Sequence, residues 1–341
     1  MEDVGVVSIG TYIPEKRMTA KEIAQASGIP QSIIETKMGI LEKTVPGPED
    51  HTVEMGVRAA RVAIERVGID PLGIDVVMCI GEEHKEYPLW TAGIKTQHDI
   101  GAVNAWAFDT ALRCGTAIMA IKLAKDMMIA DPEIETVLLA GGYRNVDFID
   151  YQNPRTRFMY NLGAGGGAVI LQKGRSENRV LGTHLMTDGS FSEDIVVTTG
   201  GTKNPVTKET LEQGLYQLDV MDPDGMKERL DEKSMANFIT CVKKALEKSG
   251  LDKSDIGYIA MLHMKRSAHQ YVLRELGLSE EQSIYLDHYG HIGQIDQILS
   301  MELALKEKKI KNGDIVVLVS AGIGYAWGAT IIQWGQKEAK S

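Results

Sequence analysis

Four side chains stand where residue type and spacing could support nucleophilic chemistry. Cys114 lies in the run AFDTALRCGTAIMAIKLAKDM from Ala107 to Met127, where an extended segment gives way to a helix rich in Ile118, Met119, Ile121, Leu123, Ala124 and Met127. A cysteine in the first turn of such a helix faces unpaired N–H groups and the positive end of the dipole, which favour the nucleophilic thiolate. Packing alone is the commoner role of a buried cysteine. A thiolate needs a base or an electrostatic partner, and two histidines offer one. His263 follows the apolar run Ile259-Ala260-Met261-Leu262, where a strand leaves the core; His291 sits in the Gly-flanked turn YGHIGQ before a helix expected from about Gln294 to Glu307. A satisfied core or surface histidine is the ordinary alternative for each. Glu83, in Gly81-Glu82-Glu83 after another apolar run, could abstract a proton beside such a pair, or could belong with Glu82, Lys85 and Glu86 to a solvated loop.

The elements that must position these residues repeat. Val4 to Ile9 reads as a strand, and Thr19 caps a helix beginning at Ala20 with Glu22 in its first turn. His51 to Val67 is an amphipathic helix stopped by Gly68, and Ile74 to Ile80 is a buried strand. AARVAIERVGIDPLGIDVVMCI from Ala59 aligns without gaps to CVKKALEKSGLDKSDIGYIAML from Cys241. VLLAGG from Val137 parallels VLVSAG from Val317, and GAVILQ from Gly167 parallels GATIIQ from Gly328. Three matches in one order point to a duplicated α/β domain, with halves at 1–173 and 174–341 whose sheets share central helices. The stretch from about Lys173 to Pro205 reads as a polar, Gly-rich connection, and Glu212 to Glu247 as the leading helices of the second half.

Composition narrows the classes. With 37 Lys and Arg against 47 Asp and Glu, the net charge of −10 argues against a general nucleic-acid binder. No apolar run reaches membrane-spanning length. Cys79, Cys114 and Cys241 are few, odd in number and far apart, which fits a reducing compartment, and the N-terminus lacks the order of a signal peptide; the expectation is a cytoplasmic protein. The GAGGG run ends in a strand and lacks a following Lys-Ser/Thr, so it is not a nucleotide loop. His288 and His291 flank a Gly turn without a carboxylate–histidine pattern, so no metal site is expected.

Over nearly its whole length the chain resembles the thiolase superfamily, and within it β-ketoacyl-acyl-carrier-protein synthase III. The segments that carry the resemblance are GTYIPEKRMTAKEIA, IIETKMGILEK, AFDTALRC, LGAGGGAVIL and SAGIGYAWGATIIQW. Leu112-Arg113 stands where the family usually has two alanines, Ala164 replaces an Asp, and His291 occupies the place of an Asn. The resemblance implies a layered αβαβα fold and a condensation of two thioesters. In that reaction Cys114 accepts an acyl group, His263 and His291 offer two neutral imidazole N–H groups to an enolate, and Ile323 or Gly324 supplies an oxyanion N–H. Lys37, Lys43, Lys265 and Arg266 are expected to meet the phosphates of coenzyme A or phosphopantetheine. The substrates implied are acyl thioesters of coenzyme A or of an acyl-carrier protein, with no permanently bound cofactor and a homodimeric assembly. Net acidity leans towards coenzyme A. Gly81-Glu82-Glu83 also resembles the Gly-x-Glu of hydroxymethylglutaryl-CoA synthase, in which Glu83 would be the general acid/base. A catalytically silent partner subunit is the alternative of another class.

Overall fold

The computed structural model describes residues 2–336. Nine strands form the main sheet: β1 (Val4–Tyr12), β2 (Val76–Cys79), β3 (Trp106–Asp109), β4 (Thr136–Tyr143), β5 (Gly165–Lys173), β6 (Arg179–Thr187), β7 (Ile256–Met261), β8 (Ile315–Gly322) and β9 (Ala326–Gln333). The main helices are α1 (Ala20–Ser27), α2 (Thr52–Val67), α3 (Ala92–Asp99), α4 (Thr116–Ala130), α5 (Pro223–Lys248), α6 (Arg266–Leu276) and α7 (Asp296–Lys306). In space the strands run β7-β8-β9-β6-β1-β5-β4-β2-β3. The order β3-β2-β4-β5-β1 on one side is answered by β7-β8-β9-β6 on the other. In each part a parallel pair, β2 with β4 and β7 with β8, leads into antiparallel neighbours. The two parts meet where Gly5 pairs with Arg179. We place the boundary between the halves in the turn from β5 to β6.

Each sheet half needs both faces covered, because its strands are apolar on both sides. Helix α2 lies outside the first half on β1, β4 and β5, and α5 outside the second on β6, β8 and β9. Between them α4 touches β4 and β5 as well as β6 and β9, while α7 touches β1 and β5 as well as β7 and β8. This is the expected αβαβα layering. The shared layer explains why α4 is apolar nearly all round: Ala117, Ile118, Ala120, Ile121, Ala124 and Met128 are buried in one core with Ile298, Leu299 and Met301 of α7.

The glycine run of β5 exists for packing. A Cβ on Gly166 would lie 2.1 Å from the Met55 carbonyl oxygen, and one on Gly142 of β4 would lie 2.1 Å from that of Thr52. Helix α2 therefore rests backbone to backbone on these strands. Local signals mark the helix ends. Thr19 and Glu22 form a capping box at α1, and Gly68 closes α2 in the left-handed conformation.

The stretch expected to be a polar connection instead contains a core strand, β6, which pairs with β9 and joins the halves. Part of its loop-like look has a packing cause: Gly182 passes beneath α5, where a Cβ would meet the Ala245 carbonyl oxygen at 2.6 Å. The leading helix of the second half is continuous from Pro223 to Lys248, with the Asp222 side chain accepting from the Gly225 N–H at its N-terminus. Among the described residues no helix is long and apolar enough to cross a membrane.

Candidate active site

Cys114 lies in a single 3-10 turn, Arg113–Gly115, between β3 and α4, and is buried with 6% of its surface exposed. Arg113 holds φ at +51°, a backbone that costs a residue other than glycine on the order of 1–3 kcal/mol. Its guanidinium is tied to Glu83 at 2.7 Å and lies 3.6 Å from Glu82. The Ser320 hydroxyl donates to the Cys114 carbonyl at 2.6 Å, and Gly322 packs so closely that a Cβ there would lie 3.1 Å from the Cys114 nitrogen. The end of β8 thus runs directly beside Cys114.

The Cys114 sulfur is 3.1 Å from Nε2 of His291. The other ring nitrogen of His291, Nδ1, donates to Oδ2 of Asp296 at 2.5 Å. Burial pulls the His291 pKa down, but the negative charges of Asp296 and Cys114 and the hydrogen bonds to both outweigh it, so the pKa stands well above the ordinary histidine value. The turn that carries His291 is fixed on both sides. Its N–H donates to the Asn161 carbonyl and its own carbonyl accepts from the Gly163 N–H, each at 2.8 Å. Gly293, at φ +57°, leaves room for the Tyr143 ring, which a Cβ would meet at 2.2 Å.

His263 follows β7 and has a different environment. Its Nδ1 lies 2.9 Å from the Asn161 amide nitrogen, which can only donate, so the ring proton is on Nε2 and points to the Gly39 carbonyl at 3.0 Å. Burial lowers its pKa, with the Gly39 contact opposing, and the ring is neutral. Burial thus favours the neutral ring at His263, whose N–H is taken up by a carbonyl, whereas the carboxylate and the sulfur beside His291 favour its protonated form.

These side chains close the inner end of a cavity of about 540 Å³, lined also by Tyr143, Asn145, Ile323 and the apolar side chains of Met38, Phe158, Met159, Met226, Leu230 and Met264. It adjoins an outer cleft of about 780 Å³ that shares Met38, Arg155, Phe158 and Lys265 and also has Lys37 and Arg157 in its wall. Lys37 and Lys265 thus stand at the mouth, joined by Arg157 and by Arg155, whose guanidinium is tied to Asp219.

Other expected residues lie elsewhere. Arg266 is paired with Asp287 at 2.8 Å and stacked 4.2 Å over Tyr285, so its charge is used within the fold. Lys43 is fully buried; its ammonium donates to the Leu162 carbonyl at 2.7 Å, and burial lowers its pKa to about 7. It anchors the segment that carries Asn161 and cannot meet a phosphate. Gly324 lines a neighbouring cavity of about 320 Å³ with Arg113 and Glu83, whereas Ile323 and Tyr325 line both that cavity and the one that holds Cys114. Glu83 faces that cavity with its side chain 58% exposed, while its neighbour Glu82 is buried and its pKa raised by burial. Asp296 and Asn161 join the site without a clear signal in the sequence. Asp296 occupies the first turn of α7, where an acidic residue reads as an ordinary dipole partner.

A buried cysteine at the head of a central helix shared by two duplicated half-sheets, with histidines from the second half facing it, defines a condensing enzyme of the thiolase fold. Models of the 3-oxoacyl-[acyl-carrier-protein] synthase III family match residues 108–189 and, for its C-terminal part, residues 246–334. The chain belongs to that family, within the thiolase superfamily. It is 26% identical over 334 residues to β-ketoacyl-[acyl-carrier-protein] synthase III of Symbiobacterium thermophilum, covering 98% of each chain. Among solved structures it superimposes on the synthase III of Thermus thermophilus with a TM-score of 0.83 at 24% identity, covering 97% of this chain and 99% of that one. The priming β-ketosynthase of the R1128 polyketide pathway gives a TM-score of 0.83 at 20% identity, covering 98% and 97%.

Proposed function

We propose that the protein is an acyltransferase that condenses an acyl thioester with a malonyl-type thioester through an acyl-Cys114 intermediate, giving a 3-oxoacyl product. The observation that carries the site assignment is the 3.1 Å contact of the Cys114 sulfur with His291, at the closed end of a cavity whose mouth is basic. The Cys114 thiolate attacks the acyl carbonyl, and the N–H groups of Cys114 and Ile323 stabilise the oxyanion; one such donor typically contributes about 3 kcal/mol to the transition state. The C–S bond to the donor carrier then breaks. A malonyl thioester enters the same cavity and loses CO₂, and its enolate carbon attacks the acyl-enzyme, releasing Cys114.

Decarboxylation is favoured over proton abstraction because it needs no base. The carboxylate in the cavity wall is Asp231 of α5, paired with Lys227 at 2.7 Å, whereas Glu83 faces another cavity. This supports decarboxylation over the hydroxymethylglutaryl-CoA-synthase-like reading, which would need Glu83 as its base. Lys37, Arg157 and Lys265 suit the phosphates of coenzyme A, the donor carrier we favour, while Arg155 is tied to Asp219. We further place the enzyme in the cytoplasm as a homodimer, with exposed Trp106 and Val103 at the β3 edge in the interface.

The test is a condensation assay in which acetyl- and longer acyl-CoAs are supplied with malonyl-CoA or malonyl-carrier protein, and the 3-oxoacyl product is detected by mass. Cys114→Ala should abolish product with an unchanged melting temperature. Retained turnover in that variant would refute the assignment.

A further inference from the structure

Asp296 is a buried carboxylate with no exposed surface. Its Oδ2 accepts from both His291 Nδ1 and the His263 backbone N–H, at 2.5 and 2.7 Å, and its Oδ1 accepts from the Ile292 N–H at 2.7 Å. One side chain thus bonds both histidine-bearing segments. The groups facing His291 are Cys114 from the turn before α4, Asp296 from α7, His263 after β7, and the Tyr143 ring at the end of β4, whose centroid is 6.0 Å away. Of these, Asp296 is the one carboxylate in contact with the ring.

We infer that Asp296 is a positioning residue that keeps His291 an imidazolium through both half-reactions, so that one Nε2–H serves first the Cys114 sulfur and then the enolate oxygen. This inference rests on the proposed condensation. With Nδ1 committed as donor to Asp296, a neutral His291 would carry a lone pair on Nε2 and could give no hydrogen bond to an enolate. The His263 N–H is held by Gly39, so the charged His291 is the ring with a donor free once Cys114 is acylated.

Protons and bonds balance through the cycle. At the start of the cycle His291 Nε2 holds the proton that lies between it and the Cys114 sulfur. Thiolate attack forms the S–acyl bond and breaks the bond to the donor carrier, which leaves as a thiolate and takes its proton from solvent. The malonyl C–C bond then breaks to give CO₂, the carbon–carbon bond forms at the acyl carbonyl, and Cys114 departs as a thiolate beside the same imidazolium.

The test is the rate of Cys114 alkylation by iodoacetamide, followed by peptide mass between about pH 5 and about pH 9 in the intact protein. Cys79 and Cys241 do not interfere, since burial pushes both thiols up to about 12. Wild-type Cys114 should still react at about pH 6, Asp296→Asn should react there more slowly by about tenfold, and Asp296→Glu should recover part of the rate. In the condensation assay Asp296→Asn should lower kcat with KM little changed. A folded Asp296→Asn protein whose alkylation profile superimposes on the wild type would overturn the inference. Should that variant not fold, His291→Asn, which keeps a neutral donor without the charge, must show the same loss at low pH, and an unchanged profile there overturns it equally. Alkylation uses no thioester. Failure of the condensation reading would therefore appear separately, as absence of 3-oxoacyl product with the alkylation profile intact.

Discussion

His263 and His291 are both buried, both line one cavity and both come from the second half, yet their surroundings set opposite charge states. Asn161 and Gly39 present a donor and a carbonyl to His263, so burial prevails and the ring is neutral. Asp296 and Cys114 present negative charge to His291, and the ring is held protonated against the same burial. Residue type does not assign the roles of these two rings; the groups on the second ring nitrogen do. On the proposed reaction His291 is the partner of the sulfur, and His263 a neutral wall of the acceptor site.

Substituting each ring separates those roles. His291→Ala should lose both half-reactions, lowering acyl-Cys114 formation and condensation by about 10²–10³-fold. His263→Ala should leave acylation within a small factor and depress condensation alone. Stopped-flow release of coenzyme A reads the first step and 3-oxoacyl product the second; equal losses in both steps for both variants would erase the distinction. A smaller effect is expected at Glu82. Its folded pKa is raised by burial, so it adds stability below its ordinary carboxyl range and loses it as pH rises through the folded value. Glu82→Gln should therefore raise the melting temperature more at about pH 8 than at about pH 5. Glu83→Gln should be the mildest, with condensation activity unchanged, because its carboxylate is exposed and faces the cavity beyond Arg113. A large loss there would return the hydroxymethylglutaryl-type reading.

The difference between the two histidines also marks what is legible in the sequence. Cys114 and His263 stand out because each borders an apolar run, His291 because it sits in a Gly-flanked turn before a helix, and the repeats foretell a duplicated domain with shared central helices. The protonation states do not, because they depend on Asp296, Asn161 and Gly39, which come from a helix, a loop and a turn far apart in the chain. Arg266 and Lys43 fail as phosphate ligands for a related reason: a basic residue in sequence shows no sign of the Asp287 carboxylate or Leu162 carbonyl that engages it. Strand β6 is hidden in the sequence where Gly182 makes room for a helix and gives the segment the look of a loop.

The most direct measurement is intact-protein mass spectrometry after incubation with acetyl-, longer acyl- and malonyl-CoA and with an acyl-carrier-protein donor, followed by peptide mapping. An acyl adduct confined to Cys114, absent from Cys114→Ala and discharged by malonyl thioester, is the expected result. A chain left unmodified by every donor, or acylated at another residue, would contradict the assignment of Cys114 as the nucleophile.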